Sequence, residues 1–159
     1  MKIKRLNARA IKDTRGEETI KVSLKTDFGE FEASSPNGKS RGVYEVKSWK
    51  KSLSSDIKTI NNYFIEDINV STFNDLKIIE NVFKDLVGGN SLIAIEYAFL
   101  KAIATRDKKE VWEVVNAVNN FKSKKMPFLI GNVIGGGAHS NASNFKKPDF
   151  QELIAQEIR

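Results

Sequence analysis

The stretch that most restricts the fold is Thr19 to Lys25, where polar and apolar side chains alternate without exception. Alternation with a period of two places every second side chain on the same face of a β-strand. We therefore predict a half-buried strand whose inner face is formed by Ile20, Val22 and Leu24.

Segments able to pair with this strand lie on both sides of it. Residues 3–11 precede it, and residues 30–33 follow a tight connection, Asp27-Phe28-Gly29, whose residue types favour turns. Consecutive strands joined by short connections pair antiparallel. The start of the chain is thus predicted to be a three-stranded antiparallel meander.

Beyond residue 42 the period becomes helical. Apolar side chains recur there at spacings of three and four residues, which predicts a layer of about four helices. The predicted end signals are Ser71 or Thr72 as a cap, Gly88-Gly89 as a stop, Asn90 as the cap of a central helix, and Asp107 with Glu110 as a capping box. Strands followed by a run of helices indicate an α+β fold.

Two segments lack a regular period. Residues 35–42 read Ser-Pro-Asn-Gly-Lys-Ser-Arg-Gly; they are rich in turn formers and carry no apolar side chain, which predicts a mobile surface loop. The period is lost again after Pro127, and residues 150–158 fit either a strand or a short helix.

The composition limits the class of protein. With 159 residues, 40% of them hydrophobic and 29% charged, the chain suits one globular domain. It has no cysteine, so disulfides and thiolate metal sites are excluded. Neither a secretion signal nor a membrane span is apparent. The net charge of +6 comes from basic residues spread along the chain, so nucleic acid is only a weak candidate partner.

The single histidine follows three consecutive glycines, in Ile134-Gly135-Gly136-Gly137-Ala138-His139. Ordered glycine runs usually need positive φ angles or the close approach of another group to the backbone. A lone histidine is more often structural than catalytic. Its place after the glycines nevertheless favours a ligand site.

Four segments, in chain order, resemble signatures of the enolase (phosphopyruvate hydratase) family, and the last is found especially in archaeal enolases. They are Ala-Arg and Asp-Thr-Arg-Gly within residues 8–16, the Ser/Gly loop with its following aromatic and Glu in 35–45, Val-Gly-Gly-Asn-Ser in 87–91, and Asn-Val-Ile-Gly-Gly-Gly-Ala-His in 132–139 followed by Gln151-Glu152. Together they cover almost the whole chain, in the family's order and with nearly its spacing.

The resemblance implies an enolase N-terminal domain in residues 1–126, with residues 127–159 leading towards a catalytic β/α barrel that is absent from the sequence. It further implies a cytoplasmic enzyme of glycolysis and gluconeogenesis that dehydrates 2-phosphoglycerate to phosphoenolpyruvate with two Mg²⁺ ions. In this family the barrel supplies the metal-binding carboxylates and the lysine base. The chain alone is therefore expected to be inactive.

The resemblance also implies roles for individual residues. Ser40, near Gly38 in the loop, would complete the shell of one Mg²⁺ when the loop closes as a lid. His139 would contact the substrate phosphate or lie beside the leaving hydroxyl, where Glu152, next to Gln151, would help a proton to move. The plainer alternatives are a turn serine, a structural histidine and a solvated Gln-Glu pair.

Arg9 and Arg15 resemble family arginines that pair with acids, and the resemblance implies that both lie at the subunit interface of a homo-oligomer; the alternative is surface charge on the strands. Some residues depart from the family pattern. Lys21 stands where the family often has an acid, and Lys39 and Arg41 replace small or hydroxyl residues of the loop.

Two main functions stay open on the sequence alone, with nucleic-acid binding as a weaker third. The first is the N-terminal domain, or a separately encoded half, of an enolase that works with a barrel domain or subunit. The second is a stand-alone enolase-like module that binds or organises other molecules without catalysis. Lys39 and Arg41 slightly favour the second function, because they suit acidic partners.

Overall fold

The computed structural model describes residues 1–38, 41–65, 68–118, 128–137, 149–150 and 152–156. These fall into two units. The larger unit contains the described residues of 1–37 and 44–118, and the smaller one contains residues 38 and 41–43 together with those from 128 onwards. The predicted domain boundary after residue 126 stays a prediction.

The predicted meander is confirmed. Strands β1 (Ile3–Lys12), β2 (Glu18–Thr26) and β3 (Gly29–Ser34) form one antiparallel sheet in the order β1-β2-β3. The alternation in β2 has the expected effect, because Ile20, Val22 and Leu24 are fully buried. The β1–β2 turn is held by the Asp13 carboxylate, which accepts hydrogen bonds from the backbone N–H groups of the two neighbouring residues Arg15 and Glu17.

In the described part of the chain four α-helices follow the sheet, in agreement with the prediction of about four. They are α1 (Leu53–Asn61), α2 (Leu76–Phe83), α3 (Gly89–Arg106) and α4 (Val111–Val118), and a short 3-10 helix (Phe73–Asp75) leads directly into α2. The order of strands and helices confirms the α+β class.

The core lies between the sheet and α3, which contacts β2, β3, α2 and α4 and so is the central helix. Its buried alanines, Ala94, Ala98 and Ala102, allow its backbone to approach its neighbours closely. Large side chains that are fully buried fill the rest of this space: Ile20, Leu24, Ile60, Ile79, Phe83, Ile95, Phe99 and Ile103.

Three predicted helix ends are wrong. Helix α3 begins at Gly89, so its N-cap is Gly88 and not Asn90. Gly88 forms no side-chain capping hydrogen bond. Helix α2 ends at Phe83, before the predicted stop at Gly88-Gly89. Asp107 ends α3 instead of starting α4, because its backbone N–H bonds to the carbonyl oxygen of Ile103.

The smaller unit is an antiparallel pair of strands, β4 (Ile130–Gly135) and β5 (Glu152–Gln156), with a register shift between Asn132 and Ile134. Residues 152–156 therefore form a strand and not a helix. Both strands are exposed along their whole length. Among the described residues, no helix is long and apolar enough to cross a membrane.

Candidate functional site

Residues 35–42, which are predicted to close as a lid, are called the lid loop. Its first residues, 35–37, are held by polar contacts within the larger unit. The buried Thr19 hydroxyl donates to the carbonyl oxygen of Ser35 at 2.6 Å. The side-chain amide of Asn37 donates to the carbonyl oxygen of Glu18 at 2.8 Å, and the Asn37 carbonyl oxygen accepts from the Arg15 guanidinium at 2.7 Å. The loop was predicted to be mobile because it has no apolar side chain to bind it to the core. Residues 35–37 are instead held by hydrogen bonds.

The chain beyond the loop is fixed at the same place. The backbone N–H groups of Gly89 and Asn90 donate to the carbonyl oxygens of Lys47 and Ser48, at 2.9 and 3.1 Å. The Asn90 side chain lies 3.4 Å from acceptor oxygens of Pro36 and Asn37. The two flanks of the loop therefore meet at the first turn of α3. Asn90, predicted to cap the helix, instead joins these flanks.

The described residues between these two anchors are open to solvent. Gly38 and residues 41–47 are all exposed, and the Tyr44 side chain is fully exposed. Ser40, the predicted magnesium ligand, and Lys39 lie outside the described residues. The structure therefore defines the two anchors of the lid loop, at residues 35–37 and 47–48.

Of the other predicted catalytic residues, His139 and Gln151 also lie outside the described residues. Glu152 is the first residue of β5, is exposed, and pairs in register with Gly135 at the end of β4. Gly137 has a φ of 51°, a left-handed conformation that glycine adopts without strain. At least one glycine of the run is thus needed for the shape of the backbone.

The two predicted interface arginines have different surroundings. Arg15 forms ion pairs with Asp13 at 3.6 Å and Glu17 at 3.2 Å, in addition to its bond to Asn37. It therefore joins the β1–β2 turn to the start of the lid loop. Arg9 is exposed on β1 and lies opposite Lys21 of β2.

Lys21, which stands where the family often has an acid, forms an ion pair with Glu32 of β3. The hydrogen bond from Lys21 lowers the pKa of Glu32 below its ordinary value. The carbonyl oxygen of Glu32 also accepts from the Lys101 ammonium at 2.6 Å. The charge of Lys21 is thus balanced within the chain by Glu32.

The described residues contain no group of three or more His, Asp or Glu side chains placed to hold a metal ion. A metal site that used Ser40 would need carboxylate ligands from elsewhere, since Mg²⁺ requires several oxygen ligands.

One structural residue was missed by the sequence analysis. Asp56, in the first turn of α1, is fully buried. Its Oδ2 accepts from the Gly88 N–H and from the Ser91 hydroxyl, each at 2.8 Å, and its Oδ1 accepts from the Lys50 N–H at 3.2 Å. Asp56 thus fixes the start of α3 to α1 and to the chain leaving the loop. The sequence held one sign of this burial: Asp56 lies four residues before the apolar Ile60 and so on the same face of the helix.

Glu96, in the middle of α3, is a second acid with unusual surroundings. Partial burial raises the pKa of its carboxyl group, and the neighbouring Glu80 carboxylate raises it further, while Lys77 acts in the opposite direction. The folded protein consequently holds a proton at Glu96 more tightly than the unfolded chain does. The cost of the charged form is absent below the ordinary pKa of 4.5 and develops as the pH rises through the higher folded value.

We therefore expect Glu96→Gln to raise the melting temperature at pH 7 by about 1 to 3 °C and to leave it unchanged near pH 4. Thermal unfolding followed by circular dichroism at both pH values measures this difference. The matched variant Glu30→Gln, at an exposed glutamate of β3, should have no effect at either pH. An equal gain from Glu96→Gln at both pH values would rule out charge as its cause.

Comparison with known proteins supplies the family context. No protein-family model matches the chain. It is 28% identical to the enolase of Mycoplasma mobile over 98% of its own length, which is 37% of that enolase. It is 28% identical to the enolase of Methanosphaera stadtmanae over 96% of its length, and 29% identical to that of Methanothermobacter thermautotrophicus over 98%; these are 37% and 38% of the two enolases.

The similarity extends over nearly all of this chain but over little more than a third of each relative. Two of these relatives are archaeal and one is a mycoplasma, so the archaeal character of the resemblance is supported in part. The meander, the helical layer and this coverage agree with one another. The comparisons therefore confirm that the chain resembles the N-terminal domain of enolases.

Proposed function

We propose that this chain provides the lid and part of the wall of an enolase active site, and that a β/α barrel domain or subunit provides the rest. The complete enzyme would dehydrate 2-phosphoglycerate to phosphoenolpyruvate in glycolysis and gluconeogenesis. The observation that supports this most is the coverage: almost the whole chain is similar to enolases, yet it spans only about 37% of their length.

The chemistry explains why a lid would be required. Removal of a proton beside a carboxylate produces an enolate-like intermediate, whose concentrated negative charge needs fixed positive charge or hydrogen-bond donors. Two Mg²⁺ ions would supply most of that stabilisation when bound. Ser40 would offer its hydroxyl oxygen to this site, and Gly38 would give the loop the freedom to close. Water is excluded by closure, which strengthens every electrostatic interaction inside.

The described contacts support a loop that moves between fixed ends. Both flanks are hydrogen-bonded at the start of α3, whereas residues 41–47 are exposed. A loop anchored in this way can change conformation without disturbing the core. Asp56 keeps those anchors in place, because it holds the backbone N–H groups of Lys50 and Gly88.

We assign the remaining roles to the second half of the chain. His139 would donate a hydrogen bond to the substrate phosphate or to the leaving hydroxyl, and Glu152 would transfer a proton at that hydroxyl. Gln151 would orient the substrate beside Glu152.

The same proposal covers the quaternary structure and location of the complete enzyme. Residues 1–126 would form the N-terminal domain, and residues 127–159 would lead into the barrel. Arg9, which is exposed, is the better placed of the two arginines to reach a second subunit, because Arg15 already pairs with Asp13 and Glu17. We expect a homo-oligomer in the cytoplasm that binds neither membranes nor nucleic acid.

Reconstitution tests the proposal. The barrel half is taken from the part of the Methanothermobacter thermautotrophicus enolase that this chain does not cover. Each half alone, the mixture and a fusion of the two are assayed with 2-phosphoglycerate and Mg²⁺, and the absorbance of phosphoenolpyruvate is followed. We expect product only when both halves are present. Turnover by this chain alone would contradict the division of roles.

A further inference from the structure

A groove of about 710 Å³ lies within the larger unit, between the start of α2, the middle of α3 and helix α4. Its volume is in the range that binds small organic molecules. We call it the α3–α4 groove. Its walls are mainly apolar and include three aromatic side chains, those of Phe73, Tyr97 and Trp112. The other apolar lining residues are Leu76, Ile93, Leu100, Val111 and Val115.

The charged side chains that line this groove are all negative. Its lining includes two carboxylates, Glu96 and Glu110, and the amide of Asn116, but no Lys or Arg among the described residues. Within the described part of the chain, no hydrogen bond or ion pair to the Glu96 carboxylate is present. A carboxylate half removed from water without a partner costs free energy, which a ligand of opposite charge would recover.

Lys77, the lysine that acts on Glu96, already forms an ion pair with another residue. A smaller cavity of about 320 Å³ shares Phe73, Leu76 and Glu96 with the groove and also includes Lys77 and Glu80. There the Lys77 ammonium forms an ion pair with Glu80 at 2.7 Å. Glu96 therefore lies where two cavities join, beside a second carboxylate, and the local lysine is paired with that neighbour.

We propose that the α3–α4 groove binds a small organic cation, with its apolar or aromatic body against Tyr97, Leu100 and Trp112 and its ammonium group at Glu96. An anion would be repelled by both glutamates. A neutral apolar ligand would leave Glu96 further desolvated and still unpaired. Only a cation with an apolar body is complementary to both the walls and the charge, and aromatic rings add cation–π attraction.

This site goes beyond the proposed enolase role and can be tested on the chain alone, without a barrel half. The probes are phenethylammonium, the neutral 2-phenylethanol and the anionic phenylacetate, which share a ring and a two-carbon framework and differ in charge. Binding is measured by NMR titration of backbone amides in residues 93–100 and 111–116. Phenethylammonium should bind saturably, about tenfold or more tightly than 2-phenylethanol, with phenylacetate weakest.

Three variants separate the effect of the charge from that of the cavity. Glu96→Gln should remove the preference for phenethylammonium over 2-phenylethanol, whereas Glu30→Gln, on the exposed edge of the sheet, should keep it. Ile93→Trp, at a half-exposed position of the lining, should fill the groove and weaken both probes. Equal binding of all three probes, shifts outside the two groove segments, or an unchanged preference in Glu96→Gln would each overturn the proposal.

Discussion

Replacing Gly88 with alanine is expected to destabilise the larger unit by about 3 kcal/mol or more, at or above the upper end of what overpacking usually costs. A Cβ atom at this position would lie 2.3 Å from the carbonyl oxygen of Ser48 and 2.3 Å from the Cα of Trp49. Both are backbone atoms, so neither can rotate away. The segment that fixes the far end of the lid loop would have to move off the first turn of α3.

Two other glycines provide graded controls for this prediction. A Cβ atom at Gly89 would meet only the Val46 side chain closely, at 2.6 Å, and a side chain can shift. A Cβ atom at Gly131 would meet nothing within 4 Å. Denaturant unfolding monitored by tryptophan fluorescence should therefore rank the alanine variants as Gly88 most damaging, Gly89 intermediate and Gly131 near neutral. A Gly88→Ala protein as stable as Gly131→Ala would refute the close packing at α3.

The second large effect is expected at Asp56. Asp56→Ala would leave the Gly88 N–H and the Ser91 hydroxyl without their acceptor in a fully buried place. Unsatisfied buried donors of this kind cost about 1 to 3 kcal/mol each, so a total loss of roughly 3 to 5 kcal/mol is expected. Asp56→Asn should lose less, since its amide oxygen can still accept.

The matched control is Asp85→Ala, because Asp85 is an exposed aspartate of the same larger unit. Its removal should change the free energy of unfolding by no more than about 0.5 kcal/mol. Hydrogen exchange adds a local measurement: in the Asp56→Asn protein, protection should fall first at the amides of residues 88–91. Comparable losses in the Asp56 and Asp85 variants would show that the buried carboxylate has no special role.

The sheet could be predicted from the sequence because its signal is local. Alternation in residues 19–25 specifies both the strand and its buried face, and the turn-forming residues around it specify antiparallel neighbours. Helix number and order were also predictable, since each apolar stripe is contained in its own helix. These features require no knowledge of what lies across the core.

Helix ends and buried polar groups depended on contacts distant in sequence. Gly88 rather than Asn90 caps α3, because its N–H group has Asp56, 32 residues away, as a partner. Asn90 is drawn instead towards Asn37, 53 residues away. Local cap preferences are worth about 1 kcal/mol, which such tertiary hydrogen bonds can outweigh.

The residues of the candidate site were predicted from their resemblance to family motifs, because their residue types and spacing alone also fit ordinary structural roles. The structure adds the anchors on both flanks of the lid loop and places Glu152 at the start of β5, whereas the roles of Ser40, His139 and Glu152 stay predictions. Glu96 could not be recognised in advance, because its pKa is raised by burial and by the Glu80 carboxylate, and the fold alone brings about both.

The central claim is that this chain contributes reacting groups to a composite active site. The most direct measurement is kcat of the reconstituted enzyme with 2-phosphoglycerate, for Ser40→Ala, His139→Ala and Glu152→Gln, against Ser34→Ala at an exposed serine of β3. We predict that each of the three site variants lowers kcat by about 100-fold or more, while Ser34→Ala keeps full turnover. Full turnover in all three site variants would show that the chain supports the barrel without taking part in catalysis.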